Sequence, residues 1–350
     1  MRILHTADTH IGSRQYGLEE RRADFSQAFQ QVIGIAIAEK VDAIVHAGDL
    51  FDDRYPTAED LHETLRTLFQ LKEAGIPFLG VVGNHEQRRN LQWLDLFAKL
   101  GLAVHLTEEP YELVGVRFYG LDYAGRREVK TPHVKAGVIV CHQLLNRVRA
   151  DSELRLEDLL ACGAQYVLLG DYHEHQAWQE NGVLVTYSGS TERWSLDERE
   201  SRGVSLIDLE TGRLDRRKLS TRHFLYIGEE EDPIRSIDAH RDQLKGTVVC
   251  VYLARDGHRI QEIEEHARSR GALAVRVRDR REESAEQEQR VDVQLEFGNL
   301  DTLVSERLAI LELSKTTRDI DSIIRNPKIV DSRVDDEVTR LLEAAEKNAK

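Results

Sequence analysis

Apolar residues recur along this chain with two alternating periods. From Glu19 to Lys40, the residues Phe25, Ala28, Phe29, Val32, Ile33, Ala36 and Ile37 fall at the spacing of one helix face. Short apolar runs flank this stretch, Ile3-Leu4-His5-Thr6 before it and Ala43-Ile44-Val45-His46-Ala47 after it, with the length of buried strands. The pattern predicts a further helix over Thr57 to Ala74, a strand over Ile76 to Val82 and a helix over Asn90 to Leu100. Such an opening reads as βαβαβ, with parallel strands joined by right-handed crossovers. Two short strands follow between Tyr111 and Leu121, and the buried runs Val138 to Gln143 and Tyr166 to His173 each end in histidine. Between Val183 and Leu219 strands alternate with turns, broken by Gly189, Gly203 and Gly212 and preceded by Gly182. Helices early and strands later predict an α/β fold of two packed sheets with helices outside, four layers in all.

Gly228-Glu229-Glu230-Glu231-Asp232-Pro233 interrupts the pattern, because four consecutive acids ending in proline do not suit a core. Beyond it, a helix over Ser236 to Leu244, a strand over Thr247 to Leu253, a helix over Arg259 to Arg270 and a strand over Ala272 to Arg278 predict a small α/β unit. Asp279 to Arg290 is a charge run of the kind found in exposed loops. Leu300 to Lys350 reads as helical and charged, with Leu300, Leu303, Leu308, Ile310 and Leu311 available for packing. Within it, Val338, Leu341, Leu342 and Ala345 lie on one side of a helix over Asp336 to Ala349. The expected organisation is a large domain over 1–228, a small one over 233–298 and a helical segment over 299–350, in keeping with 350 residues.

Cys141, Cys162 and Cys250 are odd in number, widely spaced and without a CxxC pair, which points to a reducing compartment. No apolar run approaches the roughly 20 residues that span a bilayer, and Met1-Arg2 leads directly into a strand. A cytoplasmic, nucleoid-associated protein is expected. With 48 Lys and Arg against 62 Asp and Glu the net charge is −14, the wrong sign for a protein that coats nucleic acid. It leaves room for an enzyme that meets phosphate through bound metal and a local basic rim. Arg14, Arg54, Arg88, Arg89 and Arg193 stand close to the motifs described next, and Arg14, Arg89 and Arg193 are the candidate phosphate contacts.

Four strand-like runs end in Asp8-Thr9-His10, Gly48-Asp49, Gly83-Asn84-His85-Glu86 and Gly170-Asp171-Tyr172-His173. These residue types hold a pair of divalent ions, and ions about 3.5–4 Å apart clamp a phosphate and lower the pKa of a bridging water. Their mutual repulsion calls for carboxylates, one of them shared, and Asp49 is the candidate bridge because Gly48 lets the backbone turn tightly there. Asp8 and His10, two residues apart at a strand end, point to one side. Asn84 adds a neutral oxygen, and the mixed oxygen and imidazole set suits manganese, iron or zinc better than magnesium alone. His85 is placed to protonate a departing alkoxide. His142, Asp171 and His173 complete the shells. His175 leaves the register open, since it lies two residues past His173.

The order of these residues resembles the pattern DxH, GDxx(D/H), GNH(D/E), a lone His and GHxH of the calcineurin-like metallophosphoesterases, and within them that of the double-strand-break repair nucleases of the Mre-eleven or SbcD type. Ile3 to Gly12, Gly48-Asp49-Leu50-Phe51, His142-Gln143 and Tyr187 to Trp194 carry the narrower likeness. The resemblance implies a four-layer α-β-β-α sandwich with a small capping domain, and two Mn2+ ions. Asp8, His10, Asp49 and His173 would hold one ion, and Asp49, Asn84, His142 and Asp171 the other. It further implies 3′→5′ exonuclease and single-strand endonuclease action, a homodimer through helices carrying Leu61, Leu65, Leu68, Phe69, Leu91, Leu94 and Phe97, and a Rad-fifty or SbcC-type ATPase partner. Asp171 and Asp52 stand where the family has histidine, which puts metal preference and exonuclease efficiency in question. Other two-metal phosphoesterases, a phosphoprotein phosphatase or a cyclic-nucleotide phosphodiesterase, remain as an alternative reading, as does a non-catalytic DNA-end scaffold.

Overall fold

Alternate residues of each buried strand face different cores, and this alternation stacks the layers. The first sheet contains β1 (Arg2–Thr6), β2 (Ala43–Ala47), β3 (Phe78–Val81), β4 (Val104–His105), β11 (Gly203–Asp208) and β12 (Leu214–Lys218), in the order β12-β11-β1-β2-β3-β4. The second contains β5 (Tyr111–Leu113), β6 (Val116–Leu121), β7 (Val138–His142), β8 (Tyr166–Gly170), β9 (Gln176–Glu180) and β10 (Val183–Tyr187), in the order β5-β6-β7-β8-β10-β9. Leu4, Ile44 and Phe78 face the helices α1 (Glu19–Glu39), α2 (Ala58–Glu73) and α3 (Trp93–Lys99), packing on Phe29, Val32, Leu68 and Phe97. Ile3, Val45, Leu79 and Val81 face the other way, onto Phe118, Val138, Val140 and Leu168 of the second sheet. The far side of that sheet, through Ile139, Val167 and Val185, covers α4 (Leu156–Ala161) at Leu156 and Leu159.

The structure, a computed structural model, describes residues 1–125, 131, 134, 136–150, 152, 154–229, 231–254, 257–281, 315–324, 338, 340 and 341. Each fully buried aliphatic or aromatic side chain contributes roughly 1.5–3 kcal/mol, whereas an exposed pair such as Arg66 with Glu63 contributes about 0–1 kcal/mol, so burial and not surface charge decides the layering. The helices start where local chemistry allows. Thr57 accepts the Asp60 backbone N–H at 3.3 Å while Asp60 accepts that of Thr57 at 3.0 Å, which fixes the first turn of α2.

Parallel pairing brings the strand ends into line. Thr6 of β1 lies opposite His46 of β2, Ala47 opposite Val81 of β3, and in the second sheet His142 opposite Gly170. The chain leaves all five strands at the same edge of the two facing sheets, where open α/β sheets carry their sites.

Four elements escape the sequence pattern, among them β13 (Phe224–Ile227), which lies between the last expected strand and the acidic run. Strand β9, Gln-Ala-Trp-Gln-Glu, lies at a sheet edge and is largely unburied, so it lacks an apolar alternation. Two-residue β4 and six-residue α4 are too short to show a period. The second compact unit, Arg222–Leu313, holds β13 (Phe224–Ile227), α5 (Pro233–Ala239), β14 (Val248–Leu253), α6 (Ile260–Ser269) and β15 (Ala274–Asp279), with all three strands parallel. Pairing of β13 with β14 places the start of this unit ahead of the acidic run. Pro233 opens α5, and the Asp232 side chain accepts the Arg235 N–H at 2.9 Å. Ile237, Ile263 and Ala267 pack there on Val249, Val251 and Leu253.

The first unit comprises Met1–Thr221 with Ser314–Lys350, and α7 spans Lys315–Ile324. The packing residues proposed between Leu300 and Leu311, most of the charge run after Arg281 and most of the amphipathic stretch Asp336 to Ala349 lie outside the described residues. No helix among the described residues is long and apolar enough to cross a membrane.

His105, at the end of β4, joins three segments. Its Nδ1 lies 2.7 Å from Asp95 Oδ1 in α3 and its Nε2 3.0 Å from Asp122 Oδ1, which also accepts the Val82 N–H at 2.8 Å. Burial opposes the charged ring, but Asp122 and Asp95 raise its pKa from 6.5 to about 9. A raised folded value means stability that is complete below 6.5 and lost as pH rises through about 9. The stability difference between wild type and His105→Gln, measured by urea denaturation, should therefore shrink across that window; a pH-independent difference refutes the ion-pair role.

Candidate metal centre

The residues after β1, β2, β3, β7 and β8 converge, and their backbones are unusual. Asp8 (φ 51°), His10 (φ 47°), Asp49 (φ 57°) and Asp171 (φ 85°) all occupy the left-handed region, which costs a non-glycine residue on the order of 1–3 kcal/mol. Four candidate ligands sharing this conformation mark a place where tertiary packing overrides local preference. Hydrogen bonds hold the turn: Asp8 N–H donates to Gly48 O at 3.0 Å and His10 N–H to Asp49 O at 3.0 Å. Gly83 and Gly170 are required by close approach. A Cβ at Gly83 would overlap the Asp49 carboxylate and backbone nitrogen, and one at Gly170 would overlap the Ala47 carbonyl and the His142 ring.

Side-chain donors meet in overlapping groups. Asp8, His10 and His173 present ligand atoms within 4.8 Å of one another, and so do Asp8, Asp49 and His142. His10 Nε2 lies 3.2 Å from His173 Nε2 and 3.8 Å from Asp49 Oδ2, and His142 Nε2 lies 3.4 Å from the same Asp49 oxygen. Asn84 Oδ1 is 2.9 Å from His142 Nε2, and Asp171 Oδ1 is 3.9 Å from it. Asp49 stands between the two histidines, and Asp8 belongs to both of these groups; a third group, His10, Asp52 and His85, shares His10 with the first. His142 Nδ1–H donates to Ala47 O at 2.7 Å, which leaves Nε2 turned toward the carboxylates.

The electrostatics call for positive charge. Burial opposes ionisation of Asp49, yet His142, His10 and His85 hold its carboxyl well below the usual range. Burial equally opposes a charged His142, but Asp49, Asp171 and Asp8 push its pKa well up. Burial raises Asp171 to about 6, with the charges of Asp49 and Asp8 acting in the same direction. Asp8 Oδ2 is buried with no hydrogen-bond partner among the described residues, a cost of roughly 1–3 kcal/mol that a cation would relieve. Three carboxylates, three imidazoles and an amide oxygen at this spacing fit a pair of borderline divalent ions.

His85 sits at the margin. Its backbone N–H donates to Asp49 Oδ1 at 3.0 Å, and its Nδ1–H donates to Asp52 O at 3.0 Å, freeing Nε2 for a reacting group. Glu86 neither orients that ring nor faces water. It is buried, accepts the Phe51 N–H at 3.2 Å and the Gly83 N–H at 3.3 Å, and burial with the Asp49 charge raises it to about 7. His175 Nδ1 is occupied by Tyr187 O at 2.8 Å and joins none of the donor groups. His5 and His46 are buried and lowered to about 3, chiefly by burial.

Among the arginines, Arg14 is half exposed and pairs with Glu19 at 3.1 Å, and Arg89 is exposed. Arg193 points its guanidinium at its own loop, donating to Glu198 O at 3.0 Å, Thr221 Oγ1 at 2.9 Å and Glu200 O at 3.2 Å. Two carboxylates stand behind the site: Glu198, which the sequence pattern does not single out, and Asp52, which it marks only as a departure from the family's histidine. Glu198 Oε1 accepts from His173 Nδ1 at 2.7 Å, which with Asp8 and Asp49 overcomes burial and raises His173 to about 9. Asp52 Oδ1 lies 3.1 Å from His10 Nδ1. A carboxylate behind a ligating imidazole fixes its tautomer and strengthens it as a donor. Glu198 follows the Tyr187 to Trp194 segment by four residues, and nothing in its spacing signals this.

Two outcomes follow from the packing. Gly83→Ala should lose metal binding measured by calorimetry, while Gly34→Ala on the open face of α1 should bind normally and gain about 0.5–1 kcal/mol. His173→Ala should lower metal content by elemental analysis and His175→Ala should not; the reverse result would exchange their roles.

Residues 1–174 match the family model of the calcineurin-like phosphoesterases. The chain is 40% identical to the DNA double-strand break repair protein Mre11 of Methanosarcina mazei, over 98% of this chain and 60% of that protein. It is 39% identical to the Mre11 of Haloferax volcanii, over 98% of this chain and 81% of the relative, and 37% identical to that of Halobacterium salinarum, over 98% and 94%. The similarity runs past the converging strand ends and through the second compact unit, so the chain belongs to the calcineurin-like phosphoesterases and, among them, to the Mre11 family.

Proposed function

We propose that this chain is a manganese-dependent DNA nuclease that processes double-strand breaks by 3′→5′ exonuclease and single-strand endonuclease action. The observation that carries the reading is the meeting of Asp8, His10, Asp49, His142 and His173, with His85 alongside. Asp8, His10, Asp49 and His173 would hold one Mn2+ ion, and Asp49, Asn84, His142 and Asp171 the other. When bound, the pair supplies Lewis-acid polarisation of the phosphate and an acidified water.

The remaining work belongs to the chain. Asp52 O keeps the His85 ring turned so that Nε2 can protonate the departing oxygen. Asp171 adds a hard anionic donor where the resembling nucleases carry imidazole, which suits manganese and tolerates magnesium. Arg14 and Arg89 would meet the DNA backbone, whereas the donors of Arg193 brace the loop that carries Trp194. A homodimer and a Rad-fifty type ATPase partner complete the reading, as the family resemblance implies. The small second unit would act as the capping domain.

With Mn2+ present, labelled single-stranded and end-bearing duplex DNA should be cleaved and a phosphopeptide left intact; turnover of the peptide alone would make the protein a phosphatase. Asp49→Ala should abolish cleavage, and equal activity in this variant would point to a scaffold. His85→Leu should retain both ions by calorimetry yet lose about 10²–10⁴-fold in rate, as removal of a general acid does. A metal-free His85→Leu protein would make His85 a ligand instead.

A further inference from the structure

One indole borders three of the histidines at the metal centre. The Trp194 ring lies 5.6 Å from His10, 5.5 Å from His85 and 5.8 Å from His173, centroid to centroid. The contacts with His85 and His173 are edge-on, at 83° and 87°. Its Nε1–H donates to Asp52 Oδ1 at 2.8 Å, the same oxygen that faces His10 Nδ1. Its backbone N–H donates to Glu198 Oε2 at 3.1 Å, while the other Glu198 oxygen accepts from His173. Gln15 Nε2 donates to Trp194 O at 2.8 Å and closes the arrangement from the far side.

We propose that Trp194 is a positioning residue, whose indole N–H holds the Asp52 carboxylate against His10 and whose ring fixes the edges of His10, His85 and His173. This rests on the ligand assignment proposed above. An indole is suited to the task because it carries one donor and no acceptor, so it orients a carboxylate without competing for a cation. Its side chain has two rotatable bonds, so few conformations are lost when both ends are tied. Without the N–H, Asp52 Oδ1 keeps, among the described residues, the 3.1 Å contact with His10 Nδ1 and the longer one of 3.8 Å with His85 Nδ1. The imidazole of His10 is then free to turn, and the main-chain segment that aims His85 loses an anchor.

The test compares full-length wild type, Trp194→Phe and Trp194→Ala by calorimetric titration with Mn2+ and by DNA cleavage kinetics. Phenylalanine keeps an aromatic ring and loses the N–H. It should weaken one of two Mn2+ equivalents by about tenfold, and alanine by up to about 100-fold, the range for groups behind a ligand. In both variants kcat should fall with KM little changed, the mark of a group that orients reacting parts and does not bind substrate. If Trp194→Phe binds both equivalents as wild type does and keeps its kcat, the proposal is wrong, whatever Trp194→Ala does; should the alanine variant fail to fold, the phenylalanine comparison alone decides. A wild type that cleaves no DNA but whose isotherm weakens in Trp194→Phe would refute the nuclease reading and uphold the positioning role.

Discussion

Carboxylates do not gather in a dry place unless something positive joins them. Asp8 and Asp49 are almost wholly buried, Asp171 is beside them, and the imidazoles of His142 and His173 are driven toward the charged form to balance them. At the short separations seen here, like charges repel by several kcal/mol at the effective dielectric of a protein. Every other feature of this region can be understood as keeping that repulsive set together until a cation joins it.

Rigid supports accomplish this. Parallel strands deliver the ligands to a common edge, and the sandwich core fixes the spacing of the two sheets through side chains such as Val45, Val81, Val140 and Leu168. Four candidate ligands take left-handed backbone, and Gly83 and Gly170 let neighbouring segments approach closer than any side chain would permit. Behind the imidazoles stand a backbone carbonyl for His142 and carboxylates for His10 and His173.

The acidic surface and the acidic centre are separate matters. A net charge of −14 disfavours long-range attraction of DNA, so in the proposed reading binding would come from local contacts and from bound ions. Asp52 is the instructive residue. Read in the sequence as a departure that weakens catalysis, it is engaged by His10 and Trp194 and has a stated use. In the proposed arrangement, the charge that stands where the family has histidine would serve as an orienting group behind a candidate ligand.

Much of this was legible in one dimension. Helices α1 to α3 and the buried strands declare themselves because one side of each must leave water, and the ligand types at strand ends declare the chemistry because few residues hold divalent ions. Edge strand β9 and short α4 did not, since little of the former is buried and neither repeats a period long enough to see. The sequence by itself determined which residues can bind a cation and that they end parallel strands. Only the tertiary structure decided that Asp8 is shared between two donor groups, that His173 and not His175 turns inward, that Arg193 braces its own loop, and that Glu198, Asp52 and Trp194 stand behind the imidazoles. The reason is physical: periodicity records which side of a segment meets the core, whereas the partner of a given nitrogen or oxygen depends on distant chain segments, 179 residues apart for Gln15 and Trp194.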